Sequence, residues 1–267
     1  MAIHATAIVE DGAVLGAEVE IGPFCHVGSR VTLGDGVRLH SHVSIQGLTR
    51  IGARSKIYPQ AVVGGDGQIR GSDYADGQLI VGEDCVLREM VSMSCGSQKG
   101  GGVTTVGARG YFMANSHVGH DCVLGDDVTF ANSVCLGGHV TIGDRVIFGG
   151  LAAVQQWCRV GRAAMVGGLT GVNRDVIPYA MAFGDHAELA GLNLIGLKRS
   201  GMSRDAINAL RAGFRHIFYG VGGDLRSRAT EARSRWPGVP QVDEVVDFIL
   251  ADAKQELCLA RRRGGDA

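Results

Sequence analysis

Aliphatic residues recur every six positions from the start of this 267-residue chain. The series Ile3, Val9, Leu15, Ile21, Val27, Leu33, Leu39, Ile45, Ile51, Ile57 and Val63 has no gap. Four places after each aliphatic stands a small or β-branched residue, as at Ala7, Ala13, Val19, Cys25, Val31 and Val37. The series resumes at Val81, Leu87 and Met93 and slips by one residue across 94–105. It then runs from Val106 through Phe112, Val118, Leu124, Phe130, Leu136, Ile142, Phe148, Val154, Val160 and Val166 to Val172. A period of six fits neither an α-helix nor an alternating strand of ordinary length. It predicts short strands joined by tight turns, each hexad one flat face of a coil, with the aliphatic and the small residue pointing inward. Three faces make a coil of eighteen residues, and successive coils stack at roughly 4.8 Å, the strand-pairing distance. Cys25, Cys85, Cys122 and Cys158 fall on the small inward position and read as core packing.

Two stretches break the period. Residues 64–80 replace one coil's worth of hexads with polar, glycine-rich sequence, and residues 94–105 are irregular. Loops that leave a rigid solenoid usually carry function. After Pro178 the hexads stop and the spacing becomes helical. Ser203 reads as an N-cap before Ile207, Leu210, Phe214 and Ile217. Val242, Val245, Val246, Ile249 and Leu250 share a second helical face, and Trp236-Pro237-Gly238 reads as a turn between the two. The expected architecture is mainly β: a β-helix over 1–185 with loops at 64–80 and 94–105, then a helical domain over 186–267. The helices cover the open end of the solenoid. Their Lys198, Arg199, Arg204, Arg211 and Arg215 offer a basic face to an acidic partner, although a solvated helix surface accounts for them equally well.

Composition narrows the function. Glycine reaches 42 and proline 5, yet 45% of the chain is hydrophobic, so the glycines mark turns of a packed structure and not linkers. The 26 basic and 27 acidic residues nearly cancel, so the overall charge does not point to nucleic acid or an anionic membrane as the main partner. No apolar run approaches the length of a membrane span. The first twelve residues lack the basic-then-apolar order of a signal peptide. Seven cysteines, an odd number without a CxxC pair, point to a reducing cytoplasm with free thiols.

The candidate chemistry lies at His117, His120 and His139. Residues eighteen apart stack on neighbouring coils, so His120, Gly138 and Gln156 form one column, and Asp121, His139 and Trp157 the next. A histidine thus meets glycine backbone with a carboxylate at hand. A neutral imidazole can take a proton from an attacking hydroxyl or amine. A carboxylate or a backbone carbonyl can hold its other nitrogen. A glycine N–H lets a carbonyl approach closely and can stabilise an oxyanion. No serine or cysteine nucleophile sits in the column, which favours direct transfer over a covalent acyl-enzyme. The three histidines are not spaced like the zinc ligands of hexapeptide-repeat carbonic anhydrases, so no metal is expected. GxGxxG-like strings belong to the hexad corners and follow no βαβ pattern, so no cofactor is expected either.

Ser116-His-Val-Gly-His-Asp-Cys122 resembles the acyl-ACP:UDP-N-acetylglucosamine acyltransferases of lipid A biosynthesis. The resemblance extends over nearly the whole chain, through Ile21 to Phe24, Gly100 to Gly102, Gly138-His139, Met165 to Gly168, and Asn193 to Gly201. It implies a left-handed parallel β-helix, a homotrimer with sites between subunits, and transfer of a 3-hydroxyacyl chain from acyl carrier protein to the 3-position of a UDP-sugar. It assigns His120 as base, Asp121 as its orienting partner and Gly138 N–H to the oxyanion hole. His117, His139, Gln155, Gln156, Asn193 and Arg199 line the substrate site, with Gln68 and Arg70 from the first loop. Met165, Gly168 and His186 border the acyl groove, which Gly168 leaves open for a long chain. The helical domain helps receive the carrier protein.

Several positions depart from the family pattern. Gln68-Ile-Arg-Gly-Ser72 stands where Gln-Asp-Leu-Lys-Tyr is frequent, Ser94-Cys-Gly96 where His-Arg-Gly is, and Gln155 and Ser200 replace a histidine and an arginine. Three alternatives therefore stay open: transfer to the 3-amino analogue of the sugar, transfer to another nucleotide sugar, and a trimeric scaffold without activity.

Overall fold

A computed structural model describes residues 1–71 and 76–261. The described residues wind into a left-handed parallel β-helix of three sheets, with 11, 9 and 8 strands. Most strands have two residues, one inward and one outward, as at His117–Val118 and Thr129–Phe130. Each strand pairs with the strand one coil away in the eighteen-residue register, Glu20 with Arg38 and Ile21 with Leu39. The inward aliphatics are buried from Ile21 to Val172, and so are Cys25, Cys85, Cys122 and Cys158. Phe112, Phe130 and Phe148 stack up the axis, with ring centroids 5.0 Å apart at 70° and 76°. Each edge meets the next face, an arrangement that adds about 0.5–1.5 kcal/mol per pair beyond burial.

The structure revises two expectations. Residues 64–80 do not take the place of a coil. Val63 and Val81 lie on successive faces, and the described residues between the strands Val62–Gly65 and Gln78–Val81 lie outside the sheets. Six residues would suffice for that step, so twelve are extra. The slip after Met93 has the same origin: thirteen residues separate Met93 from Val106 on the next face, and the excess leaves as the second loop. Glycine also acts differently from the expected corner residue. The left-handed corners are held largely by other residues, including Asp121 (φ 60°), His139 (φ 61°) and Trp157 (φ 70°). The glycine after each aliphatic serves close approach between coils: a Cβ on Gly22 would stand 2.8 Å from the carbonyl oxygen of His40.

Four helices follow: α1 (Leu194–Arg199), α2 (Arg204–Tyr219), α3 (Leu225–Arg235) and α4 (Pro240–Leu250). Ser203 caps α2, its side chain accepting from the Ala206 N–H as its position before the apolar repeat requires. Leu210, Phe214 and Ile217 of α2 and Val242 and Val245 of α4 pack over Ile177 and Leu192 at the last coil. This closes the C-terminal end of the solenoid. The boundary expected after residue 185 falls in the turn between strands Ala180–Phe183 and Glu188–Leu192, which pair antiparallel on the first sheet. After α4 the chain returns to the last coil: Asp175 N–H donates to Glu256 O (2.7 Å) and Cys258 N–H to Asp175 O (2.8 Å). The last residues of the 186–267 span, 262–267, lie outside the described residues. No helix among the described residues is long and apolar enough to cross a membrane.

Candidate active site

The stacking register brings the two expected columns together. His139 N–H donates to the His120 carbonyl (2.9 Å), and Trp157 N–H to that of Gly138 (3.2 Å). His120 and Asp121 are 6% and 7% exposed, so their interaction is poorly screened. His120 Nδ1 lies 2.7 Å from Asp121 Oδ2. Ser97, from the second loop, grips the same carboxylate twice: its N–H donates to Oδ1 (2.8 Å) and its hydroxyl to Oδ2 (2.5 Å). Thr104 Oγ1 accepts from the Asp121 N–H (2.8 Å) and fixes the backbone beneath. Burial alone would raise the Asp121 carboxyl, but the Ser97 hydroxyl and N–H, then His120, hold it below the usual carboxylate value. An ionised Asp121 only accepts, so Nδ1 of His120 must donate and Nε2 carries the lone pair.

Three glycines bring backbone against this pair. A methyl on Gly138 would overlap the His120 ring, one on Gly100 the Asp121 carboxylate, and one on Gly67 would press on His120 Cβ (3.2 Å). Gly67 comes from the first loop and Gly100 from the second, so both insertions reach the pair. The Gly138 N–H finds no backbone acceptor among the described residues.

His139 stands edge-on to His120, with ring centroids 4.9 Å apart at 87° and its Nδ1 3.7 Å from Asp121 Oδ2. Burial pushes its ring below the ordinary value, opposed by Asp121 and assisted by His120 and Lys254. His117 lies on the strand before His120, its Nδ1 2.8 Å from the Ser92 hydroxyl. Its ring too is pushed down, by burial and then by His120, against a hydrogen bond at Ser92. His120, Asp121 and His139 offer potential ligand atoms all within 4.8 Å of one another. Asp121 Oδ2 already accepts from Ser97 and His120, which leaves the carboxylate little to give an ion. Cys122, next in sequence, is fully buried and its thiol is pushed up to about 12, mainly by burial, so it supplies no thiolate.

The remaining expected residues are spread more widely. Gln155 and Gln156 are exposed on the coil above Gly138, and the Gln156 carbonyl accepts from the Gln255 side chain (3.0 Å). Gln68 and Arg70 are exposed on the first loop, and the altered Ser72 lies outside the described residues. Gly168 sits beside Gly150 on an open ledge flanked by Leu151 and Leu169, 61% and 74% exposed. Met165 is half-buried on the strand leading to that ledge. His186 is exposed, its Nδ1 accepting from Asn173 (3.0 Å). Asn193 spends its amide on the fold: Oδ1 caps α1 through the Gly196 N–H (3.0 Å) and Nδ2 donates to Ala163 O (3.1 Å). Arg199 is exposed in the last turn of α1, and no hydrogen bond or ion pair among the described residues joins it to the histidines.

Sequence reasoning missed Ser97, Thr104, Leu151 and Leu169. The leucines carried a signal: two aliphatics eighteen apart on an outward corner, beside the glycines. Ser97 carried none, because counting by eighteen fails across an insertion.

The signature of the bacterial transferase hexapeptide (six repeats) matches residues 12–47, and that of UDP N-acetylglucosamine O-acyltransferase, domain 2, matches residues 175–258. The chain is 46% identical over 262 residues to an acyl-[acyl-carrier-protein]–UDP-N-acetylglucosamine O-acyltransferase of Sinorhizobium fredii, covering 98% of this chain and 97% of that one. It is 43% identical to the Bartonella henselae protein of the same description, with coverage of 98% and 95%. Among solved structures it is similar to the UDP-N-acetylglucosamine acyltransferase from Campylobacter jejuni, at 31% identity and a TM-score of 0.91, covering 97% and 100%. The Arabidopsis UDP-N-acetylglucosamine acyltransferase gives 31% identity and a TM-score of 0.85, covering 96% and 99%.

Proposed function

Since this chain belongs to the acyl-[acyl-carrier-protein]–UDP-N-acetylglucosamine O-acyltransferase family, we propose that it moves a 3-hydroxyacyl chain from acyl carrier protein to the 3-hydroxyl of UDP-N-acetylglucosamine, opening lipid A biosynthesis. It does so in the cytoplasm as a homotrimer. His120 Nε2 takes the proton of the sugar hydroxyl as its oxygen attacks the thioester carbonyl. The Gly138 N–H receives the developing oxyanion. Asp121 holds His120 in the accepting tautomer and stabilises the imidazolium that forms. Collapse of the tetrahedral adduct breaks the carbon–sulfur bond, and His120 returns its proton to the departing thiolate. The products are the sugar ester and the free carrier thiol, with no acyl-enzyme between. His117, His139, Gln155, Gln156, Gln68, Arg70 and Arg199 surround the sugar nucleotide. The ledge at Gly150 and Gly168, with Leu151 and Leu169, receives the acyl tail.

The observation that supports this reading most is the single carboxylate gripped by Ser97 and turned on His120 (2.7 Å), with Gly138 backbone against the ring. The test incubates the purified protein with 3-hydroxyacyl carrier protein and, separately, UDP-N-acetylglucosamine or its 3-amino analogue, with mass spectrometry of the products. Ester from the first tube, lost in His120→Ala, is the expected result. Amide from the second tube alone would move the acceptor to the amino sugar. Unchanged activity in His120→Ala would overturn the general-base reading.

A further inference from the structure

We propose that Trp157 and Lys254 are positioning residues, forming a clamp that holds His139 flat so that Asp121 serves His120 alone. The proposal rests on the reading of His120 and Asp121 as the reactive pair. The problem it addresses is one carboxylate with two histidines. Asp121 Oδ2 lies 2.7 Å from His120 Nδ1 and 3.7 Å from His139 Nδ1. A protonated His139 would draw the carboxylate toward itself and compete for the lone pairs that keep His120 in its accepting tautomer.

The clamp has three layers. The Trp157 indole lies on the His139 imidazole, with centroids 3.7 Å apart and planes 4° from parallel. Lys254 Nζ lies 3.0 Å from the Trp157 ring centroid. One face of the indole is filled by the imidazole, so the ammonium occupies the other. A cation over a tryptophan face is the strongest form of this contact. Stacking fixes the plane of His139, which then meets His120 edge-on at 87°. The charge beyond the indole adds to the neighbours that oppose protonation of His139.

The groups that face His139 are Asp121, which favours its protonation, and His120 and Lys254, which oppose it along with burial. Lys254 is exposed and does not reach its place by chance of a flexible tail. Its neighbour Gln255 donates to the Gln156 carbonyl (3.0 Å), and two residues on, Glu256 O accepts from Asp175 N–H (2.7 Å). Asp175 is fully buried and tied to Arg159 (2.7 Å). The returning C-terminal segment is thus pinned to the last coils immediately after the lysine.

The test uses the full chain with Trp236→Phe, which leaves Trp157 as the single indole, since the chain has two. A protonated imidazole stacked on an indole quenches its fluorescence, so acid titration of the emission reads His139 directly and needs no substrate. The expected result is quenching on acidification, with a midpoint that moves to higher pH in Lys254→Gln. In kinetics, Lys254→Gln should move the acid limb of the kcat profile in the same direction while leaving the alkaline plateau. Trp157→Ala should lower kcat about tenfold with KM little changed, as expected for misplacement within a positioned site. Trp157→Phe, which keeps a stacking face, should recover most of that loss. An unmoved quenching midpoint in Lys254→Gln, or a wild-type kcat profile in Trp157→Ala, would overturn the proposal. If His120→Ala kept full activity while the quenching behaved as expected, the general-base reading would fail and the clamp geometry would stand, so the two failures are separable.

Discussion

Asp121→Asn exchanges one carboxylate oxygen for an amide NH2 and gives the sharpest test of the site. The new amide can sit in two orientations. In one, its oxygen keeps the Ser97 N–H and its NH2 replaces Oδ2, facing the Ser97 hydroxyl and His120 Nδ1. Nδ1 must then accept, so His120 carries its proton on Nε2 and has no lone pair for the sugar hydroxyl. In the other, the NH2 faces the Ser97 N–H, donor against donor, in a buried place. That costs about 1–3 kcal/mol, or roughly five- to hundredfold in population. The productive tautomer becomes the minority form. The imidazolium formed on the way also loses its carboxylate, and the two effects together approach the full value of general-base help, a loss of about 10³-fold in kcat. The amide is isosteric, so the fold should hold. The assay is acyl transfer from 3-hydroxyacyl carrier protein at saturating sugar nucleotide, with circular dichroism as the control for folding. A folded Asp121→Asn protein within tenfold of wild-type kcat would refute the reasoning.

Three further outcomes follow from the same geometry. Ser97→Ala removes a hydroxyl that holds a buried carboxylate, a charged hydrogen bond worth about 1.5–3 kcal/mol; the urea midpoint should fall and kcat should drop, though less than in Asp121→Asn because the Ser97 N–H remains, and an unchanged midpoint would count against it. Gly138→Ala drives a methyl into the His120 ring, so kcat should fall by at least about a hundredfold with the coil intact, a loss of the size seen when oxyanion-hole geometry is broken; a crystal structure of the variant with His120 undisplaced would contradict this. The rings of His117 and His139 titrate below their ordinary value, mainly from burial. On acidification through about pH 6.5 the unfolded chain takes up these protons before the folded one, so stability falls. Asp121, held low, adds its own loss only below about pH 4. Urea unfolding between about pH 7.5 and 5.5 should therefore show a shallower loss in a His117→Gln, His139→Gln double variant, and identical slopes would sink the assignment.

Much of this was legible in the chain, and the reason is the lattice of the fold. Once the period of six is seen, counting by eighteen places His120 under Gly138 and Asp121 under His139, and the backbone hydrogen bonds between those residues follow. α2 was legible because Ser203 precedes a strong apolar repeat, and α4 because four of its valines and isoleucines share a buried face. α3 was not legible: its buried residues are Ala229 and Ala232, too small to write an apolar period. The grip of Ser97 on Asp121 was hidden for another reason. Its loop is an insertion, and its position depends on the path of the loop and not on the register. Lys254 was hidden by distance, because the turn that returns it comes after the whole helical domain. The hydrogen bonds of the Asn193 amide, to a helix cap and a carbonyl, were not legible either, because they join it to residues 3 and 30 positions away.

The base and its oxyanion donor belong to adjacent coils. Their separation along the axis is therefore a lattice constant, set at roughly 4.8 Å by the backbone ladder and not by any side chain. The backbone ladder joins those two coils directly, with no hinge between the two groups among the described residues. The thioester must come to a ruler whose graduations are already cut. Rate differences among acyl chains should then appear as differences in how well each chain lies along the ledge, while the spacing of the chemical groups stays the same for all of them.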